Sequence, residues 1–343
     1  MSTPAPLRCP VCGTHADPNH LSCEACGADL HQPIAPQGHW LSSAADPRPC
    51  AECGRNAFDA LGYCDQCGHR RTITSDRTEL DLTCVAAATD FGKRHKYNQD
   101  AVAIGRFEST AVTVVCDGVS SSTFGELAAL AGVEAGVAAM LDGLADKQTG
   151  HEASLAGVRA AAAASARTGA GLEDNPPSCT YVSAVVDDTT ITVTWVGDSR
   201  AYWIGPDRAV CLTVDDSQAG RLAALGVPES DERYRAPYAT ALLAWLGSDA
   251  PELQPNIATH TPTSPGTLVV CSDGLSGYTG SAEELAALIP TGGPAHIAGT
   301  MTEWARNQGG RDNISVAVTH FPPSASLLGV DPSITRLEPG EHT

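Results

Sequence analysis

Five aspartates stand where apolar runs stop or start. Asp100 closes KYNQD, Asp117 lies in VVCDG, Asp198 in VGDSR, Asp273 in CSDG, and Asp312 in GGRDN just ahead of ISVAV. A single aspartate at such a junction is ordinary, because its short carboxylate caps turns. Five gathered at one end of a pair of sheets, without lysine or arginine partners, repel one another. Hard divalent cations with oxygen ligands and water resolve that repulsion. The expectation is Mg²⁺ or Mn²⁺ rather than zinc, since no soft ligand lies among the five. Cys116 and Cys271 are their neighbours, but with Cys84, Cys179 and Cys211 they read as small hydrophobes of strand-like runs.

The other eight of the thirteen cysteines carry a different chemistry. Cys9, Cys12, Cys23 and Cys26 follow C-x2-C-x10-C-x2-C, and Cys50, Cys53, Cys64 and Cys67 repeat that spacing 41 residues later. A glycine follows the second cysteine of every pair, as a backbone turning tightly around a metal requires. Redox pairs and disulfides are the alternatives. The doubled spacing favours two structural zinc ions, each closed by four thiolates, in ribbons too small to hold a core without metal. A closed site does no chemistry, so the ribbons read as docking or assembly surfaces.

These residues need a scaffold. The 343-residue chain is 42% hydrophobic, enough for one large domain and something small. Its formal charge of −19 argues against nucleic acid or an anionic membrane as partner, because both reward Lys and Arg. The N-terminus shows no signal-peptide pattern, and no apolar run is read as approaching the roughly 20 residues that span a bilayer. The chain therefore reads as cytoplasmic. Strands are expected at 82–88, 101–105, 111–116, 180–187, 190–196, 200–204, 209–213, 267–271 and 314–320. Helices are expected at 123–146, 152–169, 217–225, 239–246, 282–288 and 294–307, the first opened by Thr123 and Glu126 in capping-box spacing. Adjacent strands with two long helices between them favour an α+β fold of antiparallel sheets with helices outside. The division is ribbon 1 at 1–34, linker and ribbon 2 at 35–75, a main domain at 81–320 and a tail at 321–343. Residues 28–49 and 70–80 read as connecting segments.

The order NQD, DG, GDSR, SDG, GGRDN resembles the metal-dependent Ser/Thr protein phosphatases (PPM, type 2C) from about 88 to 318. ALLAWLGSD at 241–249 and PGTLVVCSDGLSGY at 265–278 add to it. The resemblance implies a four-layer αββα sandwich with a dinuclear Mg²⁺ or Mn²⁺ site at one edge. By the same resemblance Asp117 bridges the metals, the Gly118 carbonyl ligates one, and Asp273 and Asp312 hold the other. Asp198, with Asp273, matches a third-metal position, and Asp100 holds metal-bound water. A metal-bridging hydroxide would then hydrolyse phosphoserine or phosphothreonine, with a Ser/Thr kinase or its targets as partner. Gly274 reads merely as letting the chain turn.

Several positions depart from the family pattern. Gln99 replaces a frequent glutamate and is a doubtful ligand. His95, in the basic run KRHK, stands where many members place a phosphate-binding arginine, so His95 or Arg94 is expected to meet substrate phosphate. Val119 offers no acid after Asp117-Gly118, and Asp216 replaces a frequent histidine. Two other readings stay open: a weak or inactive phosphatase fold that senses or scaffolds through its ribbons, and a phosphatase of small phosphate esters.

Overall fold

The computed structural model describes residues 38–44, 49–59, 61–71, 73–172, 174–228 and 230–324, all in one compact unit. Cys9, Cys12, Cys23 and Cys26, and the tail after residue 324, lie outside the described residues.

In chain order the strands are β1 (His39–Ser42), β2 (Arg77–Asp81), β3 (Val85–Asp90), β4 (Ala101–Phe107), β5 (Thr110–Cys116), β6 (Ser178–Cys179) and β7 (Tyr181–Val186). They continue with β8 (Ile191–Val196), β9 (Arg200–Ile204), β10 (Ala209–Cys211), β11 (Leu246–Gly247), β12 (Asn256–His260), β13 (Gly266–Cys271) and β14 (Ile314–Phe321). The helices are α1 (Gly125–Ala145), α2 (Gly150–Thr168), α3 (Gln218–Ala224), α4 (Asp273–Ser276), α5 (Ala282–Leu288) and α6 (Pro294–Gln308). One antiparallel sheet runs β1-β4-β5-β7-β8-β12 and the other β10-β9-β13-β14-β3-β2. A small ladder joins β6 to β11.

The central strands are apolar on both faces because both faces are covered. On β5, Ala111 and Val115 join the layer between the sheets, while Val112, Val114 and Cys116 face α1 and α2. On β13, Leu268 and Val270 face inward, while Val269 and Cys271 pack on α5 and α6. Period-two alternation thus yields four layers, helix-sheet-sheet-helix, as expected.

Four sequence expectations are corrected. Residues 239–246 form no helix despite their alanines and leucines. The amides of Gln218 and Ala219, the orphan donors at the start of α3, bond the carbonyls of Ala241 and Ala239, and Leu243 N–H bonds Asp216. Those contacts claim the backbone that a helix would need. Thr123 does not cap α1: the cap position is Phe124, at φ 60°, and the Glu126 carboxylate is taken by Arg70. The capping box belongs instead to α2, between Thr149 and Glu152. The segments read as connectors contain β1 and β2, which extend opposite sheets. Finally, α1 is long and apolar enough to cross a membrane, with mean hydropathy 1.6. Here Val133, Val137 and Met140 are buried against α2 and the sheet.

Candidate metal and phosphate site

Antiparallel pairing brings the start of one strand beside the end of its neighbour. Asp100 precedes β4 and Asp117 follows β5; Asp273 follows β13 and Asp312 lies just before β14; Asp198 sits between β8 and β9. Asp117, Asp198, Asp273 and Asp312 line a single cleft of about 600 Å³, with Ser120, Trp245 and Asp249 on its walls. Asp100 is fully buried and hydrogen-bonds Ser272, which donates its hydroxyl over 2.7 Å to Oδ2. The other carboxylate oxygen of Asp100 is buried without a partner.

Charge crowding is plain at these groups. Desolvation, then the charges of Asp100, Asp273, Asp198 and Asp312, push the Asp117 carboxyl well above the usual range. Desolvation, reinforced by Asp273 and Asp215, raises Asp198 to about 7. Asp100 also rises to about 7, from burial and from Asp312 and Asp273, against the hydrogen bond from Ser272. Asp273 is raised by withdrawal from water and by Asp312. Arg200, whose charge reaches Asp198 and Asp273, is itself held bidentate by Asp215 at 2.8 and 2.7 Å. An oxygen-only donor set, an unpartnered buried carboxylate oxygen and a deficit of cations fit hard divalent ions. Among the described residues, only cysteines form a closed knot of ligand atoms within 4.8 Å of one another.

Close backbone packing fixes the aspartate loops. The Asp117 carbonyl accepts from Thr180 N–H at 2.8 Å, and its own N–H donates to the Thr180 hydroxyl. A Cβ on Gly118 would stand 2.6 Å from the Gln99 carbonyl. Gly274 is there for a reason the sequence reading missed: a Cβ would lie 1.8 Å from the Asn313 carbonyl, so helix α4 and the start of β14 touch backbone to backbone. Asn313 then ties down the preceding loop. Its side chain donates to the carbonyls of Phe91 and Tyr97 and accepts from Gln99 N–H. Asp216 accepts from Gly197 N–H and from Asn256, anchoring the turn that carries Asp198 to β12.

The departures from the family pattern resolve unevenly. His95 Nε2 lies 3.1 Å from Asp312 Oδ1, so its nearest anion is one of the site aspartates. Arg94, His95 and Gln99 line a second cavity of about 440 Å³, which shares Ser120 and Ser122 with the aspartate cleft. Gln99 thus lines the neighbouring cavity, with its backbone packed against Gly118. Cys116 and Cys271 are fully buried with thiol pKa values pushed far up, chiefly by desolvation, which suits core residues and not nucleophiles.

Residues 92–307 match the family model for protein phosphatase 2C. The chain belongs to that family. The serine/threonine phosphatase stp of Listeria innocua is 30% identical over 142 residues, 41% of this chain and 56% of that protein. The chain thus spans just over half the length of this curated relative. Among solved structures, the Mycobacterium tuberculosis serine/threonine phosphatase PstP/Ppp superposes with a TM-score of 0.59 at 22% identity, covering 69% of this chain and 97% of that one. The catalytic domain of PstP in complex with two manganese ions gives 0.54 at 22%, with the same coverages. These likenesses establish the protein phosphatase 2C fold for residues that the aspartate motifs had already marked.

The second cysteine set also assembles. Cys50, Cys53, Cys64 and Cys67 bring their sulfurs together, with Cys50–Cys67 at 3.4 Å and Cys53–Cys64 at 3.5 Å. A disulfide would need about 2.05 Å, so these are four free thiols. Gly54 and Gly68 adopt φ of 73° and 70°, and their N–H groups bond back to Cys50 and Cys64, giving two equivalent knuckles. Crowding splits the thiols: at Cys64 desolvation opposes ionisation, but backbone N–H groups of Cys67 and Gln66 and the adjacent thiols outweigh it and bring the pKa down to about 7, while Cys67 is pushed up to about 12 and Cys53 upward by the neighbouring sulfurs and burial.

Proposed function

We propose that this chain is a Mg²⁺- or Mn²⁺-dependent phosphatase of phosphoserine and phosphothreonine in proteins. The observation that carries the reading is the convergence of Asp117, Asp198, Asp273 and Asp312 on one cleft, with Asp100 buried behind them and too few cations to balance them. Asp117, the Gly118 carbonyl, Asp273 and Asp312 would hold two cations, and Asp198 with Asp273 would offer a third position. Bound there, divalent cations supply charge neutralisation and a nucleophilic oxygen at neutral pH. The chain orients the reaction around them. Ser272 fixes one oxygen of Asp100 and leaves the other buried and without a partner, which supports Asp100 as the residue that would hold water at the metals. His95 holds Asp312 and stands at the seam between the two cavities, where it and Arg94 meet the substrate phosphate. The two cysteine sets bind structural zinc and serve docking, and a Ser/Thr kinase or its targets supply the phosphoprotein. Free thiols in this number suit the cytoplasm.

Purified protein is expected to hydrolyse a phosphothreonine peptide only with added Mn²⁺ or Mg²⁺, and to stop with EDTA. Absence of turnover with either metal would leave the scaffold reading in its place, and preference for small phosphate esters would redirect the substrate class. His95→Ala should raise KM for the phosphopeptide about tenfold, the scale of one hydrogen bond to a charged group. An unchanged KM would put the phosphate elsewhere. Elemental analysis should find about two zinc per chain, falling to about one in Cys50→Ser; an unchanged stoichiometry in that variant would refute the assignment.

A further inference from the structure

The second cysteine set is built into the catalytic domain. Its chain enters from β1, on the edge of one sheet, and leaves into β2, on the edge of the other. The knuckle Cys64–Cys67 is the turn of a small hairpin in which Tyr63 pairs with Arg70. Both side chains of that pair reach the catalytic domain at one place. The Arg70 guanidinium lies 4.2 Å from the Phe124 ring centre and forms an ion pair with Glu126, which is buried in the first turn of α1. Tyr63 meets the Phe124 ring edge-on at 6.2 Å. Arg70 Nε also donates to the Leu61 carbonyl, so the guanidinium is tied into its own hairpin.

The place is a strained one. Phe124 holds φ 60° and ψ 46°, a left-handed conformation that a bulky residue adopts only when its surroundings enforce it. It ends the stretch Gly118–Phe124, of which Val119 to Ser122 line the aspartate cleft. Gly118 packs on Gly125 and on the Gln99 carbonyl. Asp117 and Val119 are pinned separately by Thr180 and Ser178, so release of Phe124 would loosen the far end of this loop, Ser120 to Phe124, beside the cleft. The segment leaving the hairpin also fastens the loop before β4, which lines the second cavity: Thr74 donates its hydroxyl to the Asn98 carbonyl, and Asn98 donates to the Ser75 carbonyl. The backbone on either side of Phe124 is also held, Thr123 N–H donating to the Asn175 carbonyl and Leu127 N–H to the Phe124 carbonyl, but α1 has no side-chain cap there, so the ring of Phe124 is held by Arg70 and Tyr63.

We propose that the second ribbon acts within its own chain as a brace of the catalytic cleft, with Arg70 and Tyr63 as positioning residues that hold Phe124 and Glu126 while the Cys64–Cys67 knuckle is folded on its metal. The inference rests on the zinc reading of Cys50, Cys53, Cys64 and Cys67 for its link to metal, and on the contacts of Arg70 for the brace itself. It makes cleft geometry, and hence turnover, dependent on occupancy of a metal site that takes no part in the chemistry.

The test uses the full chain as wild type, Arg70→Ala, Arg70→Lys and Cys64→Ser. The readouts are zinc content, kcat and KM on a phosphothreonine peptide at saturating Mn²⁺, and hydrogen exchange across 119–126. Arg70→Ala should keep its zinc, lose about tenfold in kcat through misplacement of the cleft loop, and exchange faster at 119–126 while β5 and β7 stay protected. Arg70→Lys should recover only part of the loss, because an ammonium lacks the planar face and the fork. Cys64→Ser should lose one zinc and reproduce the loss in kcat. Wild-type kcat and wild-type exchange in Arg70→Ala would overturn the brace. Loss of zinc in Cys64→Ser without a change in kcat would overturn its dependence on metal. Retention of zinc in Cys64→Ser would strike the zinc reading alone, leaving Arg70→Ala to decide the brace. If the wild type shows no turnover, the exchange at 119–126 decides it by itself.

Discussion

Asp117→Asn should lower Mn²⁺-dependent turnover of a phosphothreonine peptide by at least about a hundredfold, the scale on which a single electrostatic group at a reacting centre is felt. The same change should raise the unfolding free energy of the metal-free protein, by about 1 kcal/mol. Both effects have one cause. Asp117 is pressed by desolvation and by four carboxylates, Asp100, Asp273, Asp198 and Asp312, with Arg200 already committed to Asp215. Asparagine cannot ionise, so the variant avoids that repulsion when no cation is present, and on the proposed assignment it loses a ligand when one is needed. Sites that perform chemistry are commonly destabilising in this way. Turnover assays with a metal titration, and denaturant unfolding in EDTA, check the two halves separately. Full activity in Asp117→Asn would sink the metal mechanism, and lower stability of the metal-free variant would show that Asp117 earns its place structurally.

Gly274→Ala should destabilise the fold by about 3 kcal/mol or more, at the upper end of overpacking costs. The added Cβ would stand 1.8 Å from the Asn313 carbonyl and 3.1 Å from the Ile314 Cα, both backbone atoms in a buried strand start. Nothing flexible is available to yield, so α4 must move away from β14. Asp273 is the first residue of that helix, and Asn313 holds Phe91, Tyr97 and Gln99 by its side chain. Activity should therefore fall along with stability. Gly150→Ala is the control: its Cβ would meet Val185 and Thr192 at 3.4 and 3.5 Å, ordinary contact distances, at the start of a helix. Denaturant midpoints of the two variants should separate clearly; equal midpoints would mean that the α4–β14 contact relaxes at little cost.

Which parts were legible beforehand follows from the range of the interactions involved. β5 and β13 announced themselves because burial on both faces writes an unbroken apolar run. The five aspartates stood out because each stands where such a run stops or close to where one starts, and their order resembled the protein phosphatase 2C pattern. By contrast, 239–246 has every local mark of a helix, yet its carbonyls are claimed by the amides of Gln218 and Ala219. Glu126 sits at capping-box spacing from Thr123, yet its carboxylate is claimed by Arg70, fifty-six positions earlier. β1 is four residues long and half-exposed, and only its pairing with β4 makes it a strand. In each case a long-range partner overrode a local preference worth a few tenths of a kcal/mol per residue.

By itself the sequence determined the chemistry: which oxygen and sulfur ligands exist, in what spacing, and the family to which residues 92–307 belong. Those depend on residue type and chain order, and both can be read directly. Tertiary structure alone decided the geometry of their use. It joined Asp117 to Asp273 across two sheets, gave Asp312 to His95, required glycine at 274 because another backbone lies against it, and set Arg70 on Phe124. Such contacts join segments that only the packing of the two sheets brings within reach, and no local spacing encodes them.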